Sequence, residues 1–334
     1  MKLLPKDNFT DLMDALSQQA LVYVPKEVTG VLKFAPYSTP DPLRLDATNT
    51  LLPPKDMLFP QCQKMYHYGI DNNNEMFIDP IIESCDQILF GARPCDIRSL
   101  ECLDEVFLTK GFIDEYYQEK HDKLLTVAIG CTQPAKTCFC ESMGLNPNEA
   151  PSADIMLHEA ENAYTVEAQT PKGEHALNAW EPFLTEGEVE TAEVHCTLNV
   201  DSTNIKEKLD KLSTSPELWD ALSIKCLNCG TCTYLCPTCY CFDISQENKY
   251  KEGVRFRCWD SCMFSEYTEM AGGGHNPRPT KKDRVRNRFM HKLNYFEDRY
   301  GKMLCVGCGR CVEKCPVNLD ITVLIDRIGA LSHE

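Results

Sequence analysis

Two runs of four cysteines share one spacing and set the tightest limit on what this chain can become. The first is Cys226, Cys229, Cys232 and Cys236, followed by Pro237; the second is Cys305, Cys308, Cys311 and Cys315, followed by Pro316. Each reads C-x2-C-x2-C-x3-C-P. Three closely stepped thiolates can wrap three corners of an iron–sulfur cube, and the fourth, turned away by the proline, reaches a second cube. Two copies therefore predict two [4Fe–4S] clusters that exchange their last ligands. Cys226, Cys229, Cys232 and Cys315 would bind iron in one, and Cys305, Cys308, Cys311 and Cys236 in the other. Gly230, Gly307 and Gly309 let the backbone reach positive φ and fold its amides towards the sulfurs, offsetting a cluster charge of roughly −2. Zinc prefers two separated C-x2-C knuckles, and disulfides between neighbours this close cannot all form with acceptable geometry.

The rest of the composition frames that motif. A chain of 334 residues suits two domains. Twenty cysteines without a signal peptide or a long apolar run predict a reducing cytoplasm and no membrane contact. The net charge of −16 is uneven: residues 1–221 hold 17 basic and 37 acidic side chains, residues 222–334 hold 17 and 13. The expected fold class is an α/β N-terminal domain with a partly parallel sheet over residues 1–200. Connecting helices follow at 201–222, then a mostly α or irregular ferredoxin-like dicluster domain at 223–334 with a long insertion at 242–300.

Within the first domain, Phe9, Leu12, Met13 and Leu16 are spaced for a helix over 8–20. Leu21–Val24, Val31–Phe34, Tyr66–Tyr68 and Glu75–Ile78 read as strands around a Pro-rich loop from Pro36 to Pro60. Gln87–Phe90 is an apolar strand. Asp96 then caps a helix with Ile97, Leu100, Leu103 and Phe107 inward, and Leu124–Ile129 is a second strand. Strand, helix, strand makes a βαβ unit with parallel strands. Cys95 and Cys131 follow the carboxyl ends of those strands, where open α/β sheets place ligands, and Cys138 and Cys140 lie in the next loop. These four thiols are a candidate set for a third cluster; buried, unligated thiols are the alternative. Cys62, Cys85, Cys102 and Cys196 stand alone and read as packing residues. Residues 154–170 suit a hairpin, Asp201–Leu212 a helix, and Ser215-Pro216 the start of another.

The insertion adds Cys239 and Cys241, then Cys258 and Cys262 at i, i+4, one face of a helix if that stretch is helical. Cys239, Cys241 and Cys262 could line a cluster or a partner-facing site, or be thiols buried beside the cubes. Gly272-Gly273-Gly274 lacks the frame of a dinucleotide loop. The basic run Arg278, Lys281, Lys282, Arg284, Arg286, Arg288 and Lys292 reads as a solvated face, as an offset for anionic clusters, or as a dock for an acidic surface.

Gly91-Ala92-Arg93-Pro94-Cys95-Asp96, Cys138-Phe139-Cys140, Cys236-Pro237-Thr238-Cys239-Tyr240-Cys241, Arg257-Cys258-Trp259-Asp260-Ser261-Cys262 and the second cysteine run, in this order, resemble one family. It is the family of iron–sulfur subunits called beta in cytoplasmic sulfhydrogenases and A in anaerobic sulfite reductases. The resemblance spans about residues 50 to 325, and Gly273-Gly274-His275-Asn276-Pro277-Arg278 lies closer to the hydrogenase side. It implies a carrier of electrons between a flavin- and NAD(P)H-binding subunit and a separate catalytic subunit. Cys258 stands where the resemblance leads one to expect an uncharged or basic residue, which argues against it as a ligand.

The residues themselves show no nucleophile–base pair, phosphate loop, flavin fingerprint or haem-attachment motif. That favours an electron-transfer subunit with no catalytic residue, flavin or nucleotide of its own. Alternatives are the A subunit of a sulfite reductase, or an iron–sulfur regulator gripping nucleic acid through the basic run, which the acidic total disfavours. Cys226 and Cys232 with Cys258 and Cys262 also imitate a sirohaem spacing, but the first pair already belongs to the cysteine run.

Overall fold

The computed structural model describes residues 1–39, 43–83, 85–272 and 274–331. Gly273 of the glycine run and residues 40–42 of the Pro-rich stretch lie outside them. The strands in chain order are β1 (Lys2–Pro5), β2 (Leu21–Val28), β3 (Val31–Pro36), β4 (Cys62–Ile70), β5 (Met76–Pro80) and β6 (Gln87–Ala92). They continue with β7 (Leu124–Ile129), β8 (Ile155–Glu159), β9 (Ala163–Ala168), β10 (Thr185–Glu186), β11 (Phe242–Lys249) and β12 (Glu252–Trp259).

Eight strands form a mixed sheet in the order β10-β1-β9-β8-β7-β6-β2-β3. The central run β2, β6, β7 and β8 is parallel, and the strands outside it pair antiparallel. Apolar runs such as Ile88-Leu89-Phe90 and Val127-Ala128-Ile129 are buried on both faces, as central parallel strands require. The helices Phe9–Ser17 and Pro171–Trp180 cover one face through Leu12, Met13, Leu177 and Trp180. The helix Pro94–Phe107 covers the other through Ile97, Leu100, Leu103 and Phe107. Asp96 does not cap it. Pro94, whose fixed φ suits a first helical position, starts the helix earlier, and Asp96 reaches back to the Arg93 amide (3.3 Å) as the third residue of a capping box.

A second, antiparallel sheet has the order β11-β12-β4-β5. It joins a hairpin of the insertion to two strands from residues 62–80, so β12 lies against β4 along its length. Cys258 is on β12, not on a helix. It faces Cys62 across the strand pair and is bonded to it as a disulfide. Neither thiol is therefore a packing residue or a spare ligand. Cys102 is buried against Phe296 and Leu304 as expected, whereas Cys85 is exposed.

The C-terminal part packs the helices Ile205–Leu212, Pro216–Ser223, Lys281–Met290 and Ile321–Leu331 through Leu209, Trp219, Phe289 and Leu324. Ser215 caps the second of these, accepting from the Leu218 amide. Among the described residues no helix is long and apolar enough to cross a membrane.

Candidate iron–sulfur site

The two cysteine runs fold as paired short turns. Gly230 and Gly309 each adopt positive φ (73° and 76°) immediately before the helical turns Thr231–Tyr234 and Arg310–Lys314. Cys226, Cys229, Cys232 and, from the far run, Cys315 line one cavity, floored by Met263 and Leu319. Amides already point at its sulfurs: Asn228 N–H donates to Cys226 Sγ (3.4 Å) and Leu319 N–H to Cys315 Sγ (3.2 Å). Cys236, Cys305, Cys308 and Cys311 form the second group, each within electrostatic reach of the others. Burial raises the thiols of Cys305 (to about 12), Cys308 and Cys311. Such thiols stay protonated unless a cation takes the charge.

The cations around them fit an anionic guest. Arg288 and Lys292, 5% and 2% exposed, come from the basic run. Arg288 Nη1 donates to Cys239 Sγ (3.6 Å) and Lys292 Nζ to Thr238 Oγ1 (2.7 Å), and among the described residues no carboxylate pairs with either. Burial alone would push both down, yet the neighbouring thiols Cys232 and Cys239 (for Arg288) and Cys236 and Cys239 (for Lys292) carry them above their ordinary values. Arg310, between Cys308 and Cys311, is 3% exposed and pairs with buried Asp96, while its Nη1 has no hydrogen-bond partner. Buried charges without partners are costly. A set of thiolates carrying net negative charge would supply the partner that Arg288 and Lys292 lack, and a second one for Arg310 beside Asp96. Three of the seven basic residues thus face inward: Arg284, Arg288 and Lys292, at helical spacing, are buried, leaving no continuous solvated stripe.

The N-terminal domain reaches the same centre. A Cβ on Gly307 would stand 2.5 Å from Cys140 Cα, and one on Gly309 2.4 Å from the Thr137 carbonyl oxygen, so only glycine lets the second run seat on the loop 137–140. The Phe139 amide donates to the Gly307 carbonyl (2.9 Å). Asn49 Nδ2 donates both to the Cys308 carbonyl (2.7 Å) and to Cys138 Sγ (3.5 Å).

Of the four thiols expected at the sheet edge, the structure brings Cys131, Cys138 and Cys140 together. Cys95 is elsewhere. It sits in the first turn of the helix Pro94–Phe107 and packs on Val306 and Cys308. The place beside Cys138 and Cys140 is taken by Cys196, missed in the sequence because it stands alone on an irregular stretch. Burial raises the thiols of Cys131 and Cys138, to about 11 and about 12.

Cys239, Cys241 and Cys262 split into two contacts. Cys239 lies against Cys236 and Arg288, whereas hydrogen bonds from Cys262 and Tyr267 hold the Cys241 thiol at about 6 despite its burial. Among the described residues no three cysteine, histidine or carboxylate side chains close on a single-ion centre.

A family model described as 4Fe-4S dicluster domain matches residues 225–319. The chain is 32% identical over 338 residues to the sulfhydrogenase 2 subunit beta of Pyrococcus furiosus, an alignment covering 97% of each. No solved structure matches.

Proposed function

The chain belongs to the iron–sulfur subunit family that includes this sulfhydrogenase beta subunit, and from that premise we propose that it relays single electrons through two [4Fe–4S] clusters inside a hydrogenase-like complex. The observation that carries the reading is the cavity shared by Cys226, Cys229 and Cys232 with Cys315, the crossed set that the doubled spacing demands. Cys226, Cys229, Cys232 and Cys315 would hold one cluster, and Cys305, Cys308, Cys311 and Cys236 the other. Each cluster, when bound, would supply one-electron redox chemistry at a potential set by charge, hydrogen bonds to sulfur and burial.

The chain's own residues do the rest. Arg288, Lys292 and Arg310 offset negative charge in the interior, and the amides of Asn228 and Leu319 donate to sulfur. Met263 and Leu319 line the first cavity, at which Cys229 stays exposed, and Val306 packs on Cys308 in the second group. The side chains that carry this reading are thiols and fixed charges. The partners on this reading are a flavin- and NAD(P)H-binding subunit and a catalytic subunit, in a reducing cytoplasm; the relative's own name makes it one subunit of a larger sulfhydrogenase.

Oxygen-free purification followed by iron and acid-labile sulfide analysis tests this. The two cysteine runs should account for about eight irons per chain, and Cys229→Ala and Cys311→Ala should each lower the count. Zinc in place of iron at these runs, or substrate turnover by the chain alone, would overturn it.

A further inference from the structure

We propose that Cys196 completes a third [4Fe–4S] site with Cys131, Cys138 and Cys140, in contact with the loop that carries Cys308. The proposal rests on the relay reading for the kind of cluster, but its residues lie outside the matched 225–319 segment.

Three observations converge. Cys196 Sγ lies 3.5 Å from Cys140 Sγ, and Cys138 shares their buried cluster. Cys131, at the carboxyl end of β7, has Cys196 as an electrostatic neighbour, and Cys140 has all three of the others. The four thiols thus come from a strand end, a C-x-C loop and a separate tether, and surround one spot.

The tether is built, not incidental. Glu141, the residue after Cys140, accepts from His195 Nδ1 (2.7 Å) and from the Cys196 amide. Ser142 fixes the following turn, accepting from the Val200 amide (3.0 Å) and, through its carbonyl, from Ser202 Oγ (2.6 Å). Asn148 Nδ2 holds the preceding turn at the Val194 carbonyl (3.2 Å). Five polar contacts therefore pin an otherwise irregular stretch so that it presents a single buried thiol. A packing cysteine on a surface-running segment has no need of such fixing.

The charge and the location also suit a cluster. The buried guanidinium of Arg93 lies beside Cys131, its donors spent on the carbonyls of Ala47, Leu45 and Gly130. Cys138 Sγ approaches the Cys308 carbonyl (3.8 Å), and Asn49 bridges the same two groups. A redox centre here is one loop away from the second ferredoxin-type group. Cys95 is the residue this assignment excludes. It packs on Cys308 and Val306 and touches Asn49 Oδ1 (3.9 Å), outside the buried cluster of Cys138, Cys140 and Cys196, although Cys131 lies within its electrostatic reach.

The test uses the full chain purified without oxygen, with iron, acid-labile sulfide and zinc counted per chain and both the oxidised and the dithionite-reduced forms examined by EPR. Wild type should hold about twelve irons, three sets of four. Cys196→Ala should lose up to about four of them, or show a three-iron EPR signal, with the signals of the two ferredoxin-type groups retained. Cys131→Ala, on a different element, should behave alike, and Cys95→Ala should keep all twelve. A full count in Cys196→Ala, a loss in Cys95→Ala, one zinc per chain, or a wild-type count of about eight would overturn the assignment. A wild-type count of eight leaves the two-cluster relay standing; only loss of iron from the Cys226 and Cys305 runs themselves removes that.

Discussion

Arg310 Nη2 lies 2.9 Å from Asp96 Oδ1, an ion pair buried on both sides that ties the second cysteine run to the first turn of the helix after β6. Removing one member of such a pair strands the other charge in the interior. Asp96→Ala should therefore destabilise the fold by about 3–5 kcal/mol in denaturant titration. Arg310→Met removes a positive charge beside Cys308 and should lower the potential of the group it adjoins, since a nearby cation favours the more negative reduced state. An EPR-monitored redox titration reads that shift; a higher potential would contradict it.

Gly309→Ala should act through contact with the N-terminal domain. Its φ of 76° is already unfavourable for a side chain, and the new methyl would meet the Thr137 carbonyl oxygen at 2.4 Å. The left-handed conformation alone costs about 1–2 kcal/mol, and parting the two loops adds to it. The expected result is a lower melting temperature together with faster iron loss on exposure to chelator. Gly301→Ala, with positive φ but open space around it, should show the conformational cost alone.

The Cys62–Cys258 bond closes a long loop between the two parts of the chain, with 196 residues of separation. Cys62→Ala should cost about 2–4 kcal/mol in the absence of reductant. With excess dithiothreitol the variant and the wild type should differ little. Differential alkylation with peptide mapping identifies the bonded pair directly.

Burial, with Lys292, Arg288 and Arg278 nearby, pushes the His291 imidazole down to about 4, and Tyr240 Oη shares a hydrogen bond with Nε2 (2.9 Å). A base whose folded value lies below its ordinary 6.5 takes up a proton more readily when unfolded. Its contribution is thus complete above about pH 6.5 and lost as the pH falls towards 4, roughly 3 kcal/mol at the limit. His291→Gln should flatten the fall in melting temperature between pH 7 and 5. An unchanged slope would assign that fall to other groups.

The parallel β6 and β7 and the helix between them were legible because an apolar run, a proline-led helix start and a second apolar run leave little choice. That Cys315 lines one cavity with the first cysteine run follows a similar logic, since spacing and proline act locally. What escaped depended on distant partners. Cys62 and Cys258 meet only because β4 and β12 are neighbours in a sheet built from both ends of the sequence. Cys196 has no spacing relation to Cys138 or Cys140, and its position is fixed by side-chain bonds to Glu141 and Ser142. The inward turn of Arg284, Arg288 and Lys292 had a faint signal, their i, i+4, i+8 interval, that overall basicity obscured.

The antiparallel pairing of β12 with β4 makes the C-terminal half a poor cassette for transplantation. Cutting the chain at residue 223 would bare the backbone N–H and C=O groups along one side of Glu252–Trp259. An uncovered strand of that length invites self-association. Whatever evolutionary module the cysteine-rich half descends from, in this protein it is stitched to its neighbour and must be handled, expressed and engineered as one piece.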